Sequence, residues 1–357
     1  MKPIRSYFIK RIHAADAWQM RFLLIALMPV MMFSCIHGPN RQAGTRAEAE
    51  LENPAQVLVI NSNADVEKYR MMQEEFISHV PYSVQTLNAG NTGNGPASSI
   101  QKADPEIIFC IGAGAYLLAS EKMPERPIVF SSVLNWMRLQ MTHQTYGVSS
   151  ELHAGMQMML FKYIFPKLKK IGIIYSEEFN QQWVESVRET AAETGVVIIG
   201  RPLVKNNDPF NELKTLLPET DVFWLISDPT LIPDTDTLIR ILKICDEMNK
   251  PVFSYMNALA DYGATLIVSP DYRTIGRQAA DIATDLMARN KETPARNLKR
   301  IVKDAAKQAT AMILGENRAD YVEYPIGSHV ILNLKKVREY QIPYNEDALD
   351  SVNKIIR

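Results

Sequence analysis

The chain has 357 residues, with 39 basic and 40 acidic side chains and a formal net charge of −1. So balanced a charge excludes a nucleic-acid face built on basic excess, and three cysteines exclude a disulfide-built scaffold. The length is too great for one small core and suits two lobes.

The first element is the apolar run in RFLLIALMPVMMFSCIHG, residues 21–38. Phe22 to Phe33 falls short of the ~20 residues a membrane-spanning helix needs. It fits the apolar core of a secretory signal, with Lys2, Arg5, Lys10, Arg11 and Arg21 as the positive start. Met20 stands directly before Arg21, so Met1 and Met20 both remain open as the start. Met32-Phe33-Ser34-Cys35 resembles the lipobox of bacterial lipoproteins, which implies that residues 1–34 are a cleaved signal peptide and that Cys35 is acylated. Two acyl chains hold a protein at a membrane stably where one does so only marginally. The mature chain then carries a net charge of −5, and residues 35–54, polar and charged, read as a flexible tether.

After the tether, short apolar runs alternate with helical patterns. The runs are QVLVIN (56–61), EIIFCIG (106–112), PIVFSS (127–132), KIGIIYS (170–176), GVVIIG (195–200), DVFWLIS (221–227), PVFSY (251–255), ATLIVS (264–269) and HVILNL (329–334). Nearly continuous apolar strands of this length indicate parallel sheets covered on both faces. Between them, Val184, Val187 and Ala191 share one helix face, as do Ile275, Ala279, Ile282, Ala283 and Leu286. The expected fold is α/β, with two Rossmann-like lobes. Cys110 in a strand and Cys245 on a helix face read as buried thiols rather than a disulfide. Residues 88–99, NAGNTGNGPASS, read as a long surface loop.

Catalytic signatures are absent: no Cys-x-x-Cys, His-Glu-x-x-His, Gly-x-Ser-x-Gly or phosphate loop. Gly112-Ala113-Gly114 follows a strand, but Leu117 stands where a dinucleotide loop needs its third glycine. The six histidines have no metal-ligand spacing, so neither metal nor cofactor is expected and the chain does not read as an enzyme. What recurs is polar residues just past the strands, where open α/β sheets bind ligands. Asn61 and Ser62, Gly112 and Ala113, and Ser131, Ser132 and Asn135 do so in the first half. Tyr175, Glu178, Phe179 and Asn180, then Ser227 and Asp228, then Ser254 and Tyr255, do so in the second. Two such edges suggest a ligand cleft between two lobes.

From about Val57 to Pro343 the chain resembles the substrate-binding proteins of bacterial ABC uptake systems, of the type I periplasmic binding fold. The stretches that carry the resemblance are YGVSSELHAGMQMMLFKYIFPKLKKIGIIYSEEFN (146–180), GATLIVSPDYRTIGRQAA (263–280) and HVILNLKKVREYQIPY (329–344). It implies lobe 1 from 55–148 plus about 270–297 and lobe 2 from 149–269 plus about 315–357, joined by a multi-strand hinge. A segment at about 298–314 reads as an extra helix of either lobe.

The family's hydroxyl after the third strand falls on Ala113, and its Thr-Asp-Pro after the fourth falls on Leu134-Asn135-Trp136, which exchanges a carboxylate for an amide. By the same resemblance Asp228 pairs with a ligand ammonium and Asn180 orients a carboxylate or amide. Trp136, Phe179 and Tyr255 are candidates for stacking on a planar ligand. The implied activity is capture of a small polar or aromatic solute, such as an amino acid, by hinge closure, with an ABC permease as partner and a lipid anchor facing the periplasm or cell exterior. A sensory or structural envelope lipoprotein of the same fold is the alternative.

Overall fold

The computed structural model describes residues 55–90, 100, 103–134, 136–204, 208–290 and 321–357. The signal peptide, Cys35, the tether, most of the 88–99 loop, Asn135 and the 298–314 segment lie outside the described residues.

Two sheets organise the chain. In the first, β1 (Val57–Asn61), β2 (Val84–Asn88), β3 (Ile107–Ile111), β4 (Ile128–Ser131) and β5 (Thr145–Val148) are joined by β11 (Val322–Glu323) in the order β11-β5-β4-β3-β1-β2. Every pairing in it is parallel. The second contains β6 (Lys170–Tyr175), β7 (Val197–Pro202), β8 (Val222–Leu225), β9 (Val252–Ser254), β10 (Leu266–Pro270), β12 (Ser328–Asn333) and β13 (Lys354–Ile356). Its order is β13-β12-β10-β9-β8-β6-β7, and β10 with β12 is its antiparallel pair.

Both sheets are covered on both faces, which is why most of their inner strands are apolar without alternation. Helix α1 (Glu67–His79) and helix α7 (Tyr272–Asn290) cover one face of the first sheet, joining Met72, Phe76, Ile275, Ala279 and Ala283 to Val57, Val59, Ile107 and Phe109. Helix α2 (Ala113–Lys122) covers the other with Ala115, Tyr116 and Ala119. On the second sheet, α3 (Ala154–Ile164), α4 (Glu177–Glu193) and α8 (Leu334–Glu339) pack on one face. Helices α5 (Pro209–Leu216) and α6 (Thr235–Glu247) cover the other. Each fully buried Leu, Ile or Phe in these layers contributes ~1.5–3 kcal/mol relative to exposure. Cys110 and Cys245 are free and buried, and burial pushes the Cys245 thiol up to about 12.

The chain passes between the sheets three times: after β5, between β10 and α7, and between β11 and β12. These crossings are the multi-strand hinge. The third crossing falls later than the sequence suggests, because Val322 and Glu323 still pair with Gly147 and Val148 in the first sheet. The two-residue β11 has no apolar run to announce it.

One close approach fixes the α1–α7 contact. A Cβ on Gly276 would lie 2.5 Å from the Met72 carbonyl oxygen, so only glycine lets the two backbones meet. Beside it Glu75 accepts from Arg277 at 2.6 Å and Arg273 at 3.2 Å. Burial of Glu75 favours its neutral form, but the bonds from Arg277 and Arg273 outweigh that and hold its pKa below the ordinary value.

Candidate functional site

The carboxyl edge of the first sheet is polar, and most of its polar atoms serve the fold. Asn61 donates to Gln73 at 2.8 Å and accepts from the Asn63 N–H at 3.0 Å. Ser62 Oγ accepts from the Ala115 N–H at 2.9 Å, which caps α2. Gly112 makes that cap fit: it has φ +92, and a Cβ there would stand 2.7 Å from Ser62 Oγ. Ala113 opens α2 directly behind it. Ser131 and Ser132 are buried with their hydroxyls on Met72 Sδ, at 3.7 and 3.4 Å, and Ser132 sits in the left-handed region at φ 57. Trp136 is buried in the core beside α2 and does not face the cleft pocket described below.

The second sheet's edge is organised by Asp228, which is 2% exposed. Its Oδ2 accepts from the Ser176 N–H at 2.6 Å, from Ser176 Oγ at 3.0 Å and from Asn180 Nδ2 at 2.8 Å. Its Oδ1 accepts from the N–H groups of Thr230 and Leu231, at 2.8 and 3.1 Å. The carboxylate therefore ties the end of β6 and the start of α4 to the loop after β8. Both its oxygens are filled by the protein, so the ligand ammonium expected from the sequence finds no place on it. Asn180 spends both amide hydrogens, on Asp228 and on the Ser227 carbonyl at 3.2 Å.

Tyr175 is buried in the core under α4, and Ser254 Oγ accepts from the Met256 N–H. Tyr255 hydrogen-bonds Ser227, and burial raises its pKa, with a further push from the charges of Glu151 and Asp228.

A pocket forms where the lobes face each other. Leu134 and Met137 come from the first lobe, Ser150, Glu151 and Leu152 from the first crossing, and Gln157 from α3. Phe179, Asn180 and Trp183 come from α4, and Trp224, Ile226, Ser227, Tyr255, Val268 and Pro270 from the strand ends of the second sheet. Four expected residues thus meet here: Phe179, Asn180, Ser227 and Tyr255. Glu178 stands at the rim, where Arg138 of the first lobe lies 3.5 Å from its carboxylate and 4.8 Å from the Phe179 ring centre.

Glu151, Trp183 and Trp224 were not legible as site residues. Trp183 lies on α4 beside the apolar stripe, Trp224 reads as strand core, and Glu151 looks like one more solvated carboxylate. A signal existed for Glu151 alone, since it lies in the crossing after Gly147-Val148.

A second cavity, about 220 Å³, lies elsewhere in the second lobe, among α6, α8 and the turn at Tyr262-Gly263. Its Asp246, Lys336 and Tyr340 bond one another. Among the described residues no group of three His, Cys, Asp or Glu side chains is placed to hold a metal, and no helix is long and apolar enough to cross a membrane.

Similar proteins agree with this architecture. A curated tyrosine-binding protein of Clostridioides difficile is 20% identical over 200 residues, which is 54% of this chain and 57% of that protein. The match spans little more than half of that relative's length. Among solved structures, a ligand-free, open substrate-binding protein with adhesive properties from Clostridium difficile superposes with a TM-score of 0.61 at 16% identity, over 84% of this chain and 99% of that one. An ABC domain from Streptococcus pneumonia in complex with L-Trp gives 0.52 at 15% identity, over 84% and 100%. The ABC transporter substrate binding protein family matches residues 88–301, more than half of the sequence, and the chain belongs to that family.

Proposed function

We propose that the protein is the solute-capturing component of an ABC-type importer, exported, held at the membrane through acylated Cys35, and closing around a small ligand with an aromatic or apolar body. One observation carries the reading: the pocket has walls from both lobes, with Leu134 and Met137 opposite Phe179, Asn180, Trp183 and Tyr255. A ligand that touches both walls favours the closed state by its extra contacts there, and that differential is what drives hinge closure. A relative named for tyrosine and a neighbour solved with L-Trp support an amino-acid or similar ligand. A membrane permease is the partner such a binder serves outside the cytoplasm.

Within this reading Phe179, Asn180, Ser227 and Tyr255 contact the ligand. Asn61, Ser62, Gly112, Ala113, Ser131, Ser132, Ser254 and Asp228 shape the walls from behind.

The test is a thermal-shift screen of the purified full chain against amino acids, nucleosides, small carboxylates and amines. A solute at 100 times its dissociation constant adds ~2.7 kcal/mol to stability. A flat response across the panel would contradict the reading. For the anchor, labelled palmitate should enter the wild type and be lost in Cys35→Ser; label retained by that variant removes Cys35. Solute uptake unchanged by deletion of the gene, with binding intact, would favour the sensory role.

A further inference from the structure

One cation on the first-lobe side of the cleft is left unused by the fold, and the role inferred for it rests on the binding function proposed above. Lys68 stands in the first turn of α1, which opens at the carboxyl edge of the first sheet after β1. Its Nζ lies 5.5 Å from the ring centre of Tyr69 and 5.9 Å from that of Tyr272. Both rings belong to the cleft. Tyr272 opens α7 just after Pro270, which lines the pocket, and it is close enough to Tyr255 on the second-lobe wall for their phenol charges to interact. Tyr69 leans on the start of α2, its Cε2 3.3 Å from where a Cβ on Gly112 would stand.

Lys68 is open to solvent, yet the walls around it desolvate its ammonium and lower its pKa. Access together with desolvation marks a side chain in a crevice. Among the described residues no carboxylate pairs with Lys68 and no hydrogen bond takes up its charge. Other cations nearby are engaged: Arg138 at the rim with Glu178, and Arg273 and Arg277 with Glu75. Two kinds of donor stand close to Lys68. The Tyr272 hydroxyl makes no hydrogen bond among the described residues, and burial pushes its pKa up to about 12, so it keeps its proton to donate. The N–H groups of Ala113 and Gly114 also find no acceptor among the described residues, and they form the positive end of α2.

We infer that Lys68 receives a carboxylate of the captured solute, with the Tyr272 hydroxyl as second donor, while the solute's apolar or aromatic body lies toward Phe179, Trp183 and Tyr255. The carboxylate supplies the counter-charge that Lys68 lacks, and the bond between them is charge-assisted. A solute held this way touches the first lobe through its anion and the second through its body, so both contacts are complete only in the closed state.

The test is calorimetric titration of the full-length protein with acids and their amides, which keep the shape and remove the anion. The pairs are tyrosine against tyrosinamide, indole-3-acetate against indole-3-acetamide, and whichever solute stabilises the protein most against its own amide. The expected result is that the acid binds about tenfold or more tighter than its amide, the scale set by one charged hydrogen bond. Lys68→Met, which keeps the apolar stem, should bring the acid down to the affinity of the amide and leave the amide unchanged. Lys68→Arg should retain most of the preference, and Lys68→Gln stands in should Lys68→Met fail to fold. Acid and amide binding the wild type alike, a neutral Lys68 variant that weakens both equally or neither, or a best solute with no anionic group overturns the inference and leaves the binder role standing. Silence across all pairs and across the wider solute screen overturns both.

Discussion

Asp228 accepts five hydrogen bonds from Ser176, Asn180, Thr230 and Leu231 while almost fully buried. Removing it strands those donors, and each buried unmet group costs ~1–3 kcal/mol. Asp228→Ala should therefore lower unfolding stability by at least ~2 kcal/mol, read as a lower urea midpoint of the ligand-free protein. An unchanged midpoint would mean that the carboxylate is not the brace described. The residue illustrates where sequence reasoning stops. A carboxylate two residues past an apolar run is legible as a position near a ligand edge, but whether it faces the ligand or the protein depends on contacts 48 to 52 residues away in the chain, which no local pattern encodes. Glu151, Trp183 and Trp224 stayed hidden for the converse reason, each having an ordinary local role available.

At the level of elements, α1 and α7 are locked by a backbone contact and an ion cluster, and each predicts a measurement. Gly276→Ala gains up to ~1 kcal/mol of helix propensity. It also drives a methyl to 2.5 Å from the Met72 carbonyl, and overpacking of that kind costs ~1–3 kcal/mol. The net should be destabilising; a higher melting temperature would show that the helices separate freely. Glu75 makes stability depend on pH. Its folded pKa lies below its ordinary value of 4.5, so its contribution is fully present above that value and disappears as pH falls through the lower, folded one. Glu75→Gln should flatten that acid limb of a stability-against-pH curve, and an unchanged limb would assign acid sensitivity to other groups.

The elements themselves were largely legible. All nine apolar runs became strands, because strands buried on both faces leave no other pattern. Those not foreseen were β2, β5, β11 and β13, which are short or partly exposed; β5 carries a polar-looking Thr-Tyr-Gly-Val, with Gly147 pressed against the Phe130 ring.

For the whole molecule, function depends on the two lobes meeting over a ligand. Arg138 is the first-lobe group that reaches across the rim, to Glu178 and the Phe179 ring. Both partners are well exposed, at 39% and 67% of their side chains, so the pair contributes at most ~1 kcal/mol. Arg138→Ala should weaken ligand binding a few-fold, chiefly by faster dissociation in stopped-flow release, and the loss should shrink at high salt. A larger effect on unfolding than on release would make Arg138 a structural residue instead.

The central claim is that solute is captured in the pocket between the lobes. Its most direct measurement is calorimetric titration of the full-length protein, with whichever solute stabilises it most, on wild type, Trp183→Ala and Lys336→Met. The account predicts saturable one-to-one binding that Trp183→Ala, in the cleft, abolishes or weakens at least about tenfold. Lys336→Met, at the distant cavity beside Asp246, should leave it unchanged. Affinity indifferent to Trp183 and lost with Lys336 would contradict it, and would move the binding site to the far side of the second lobe.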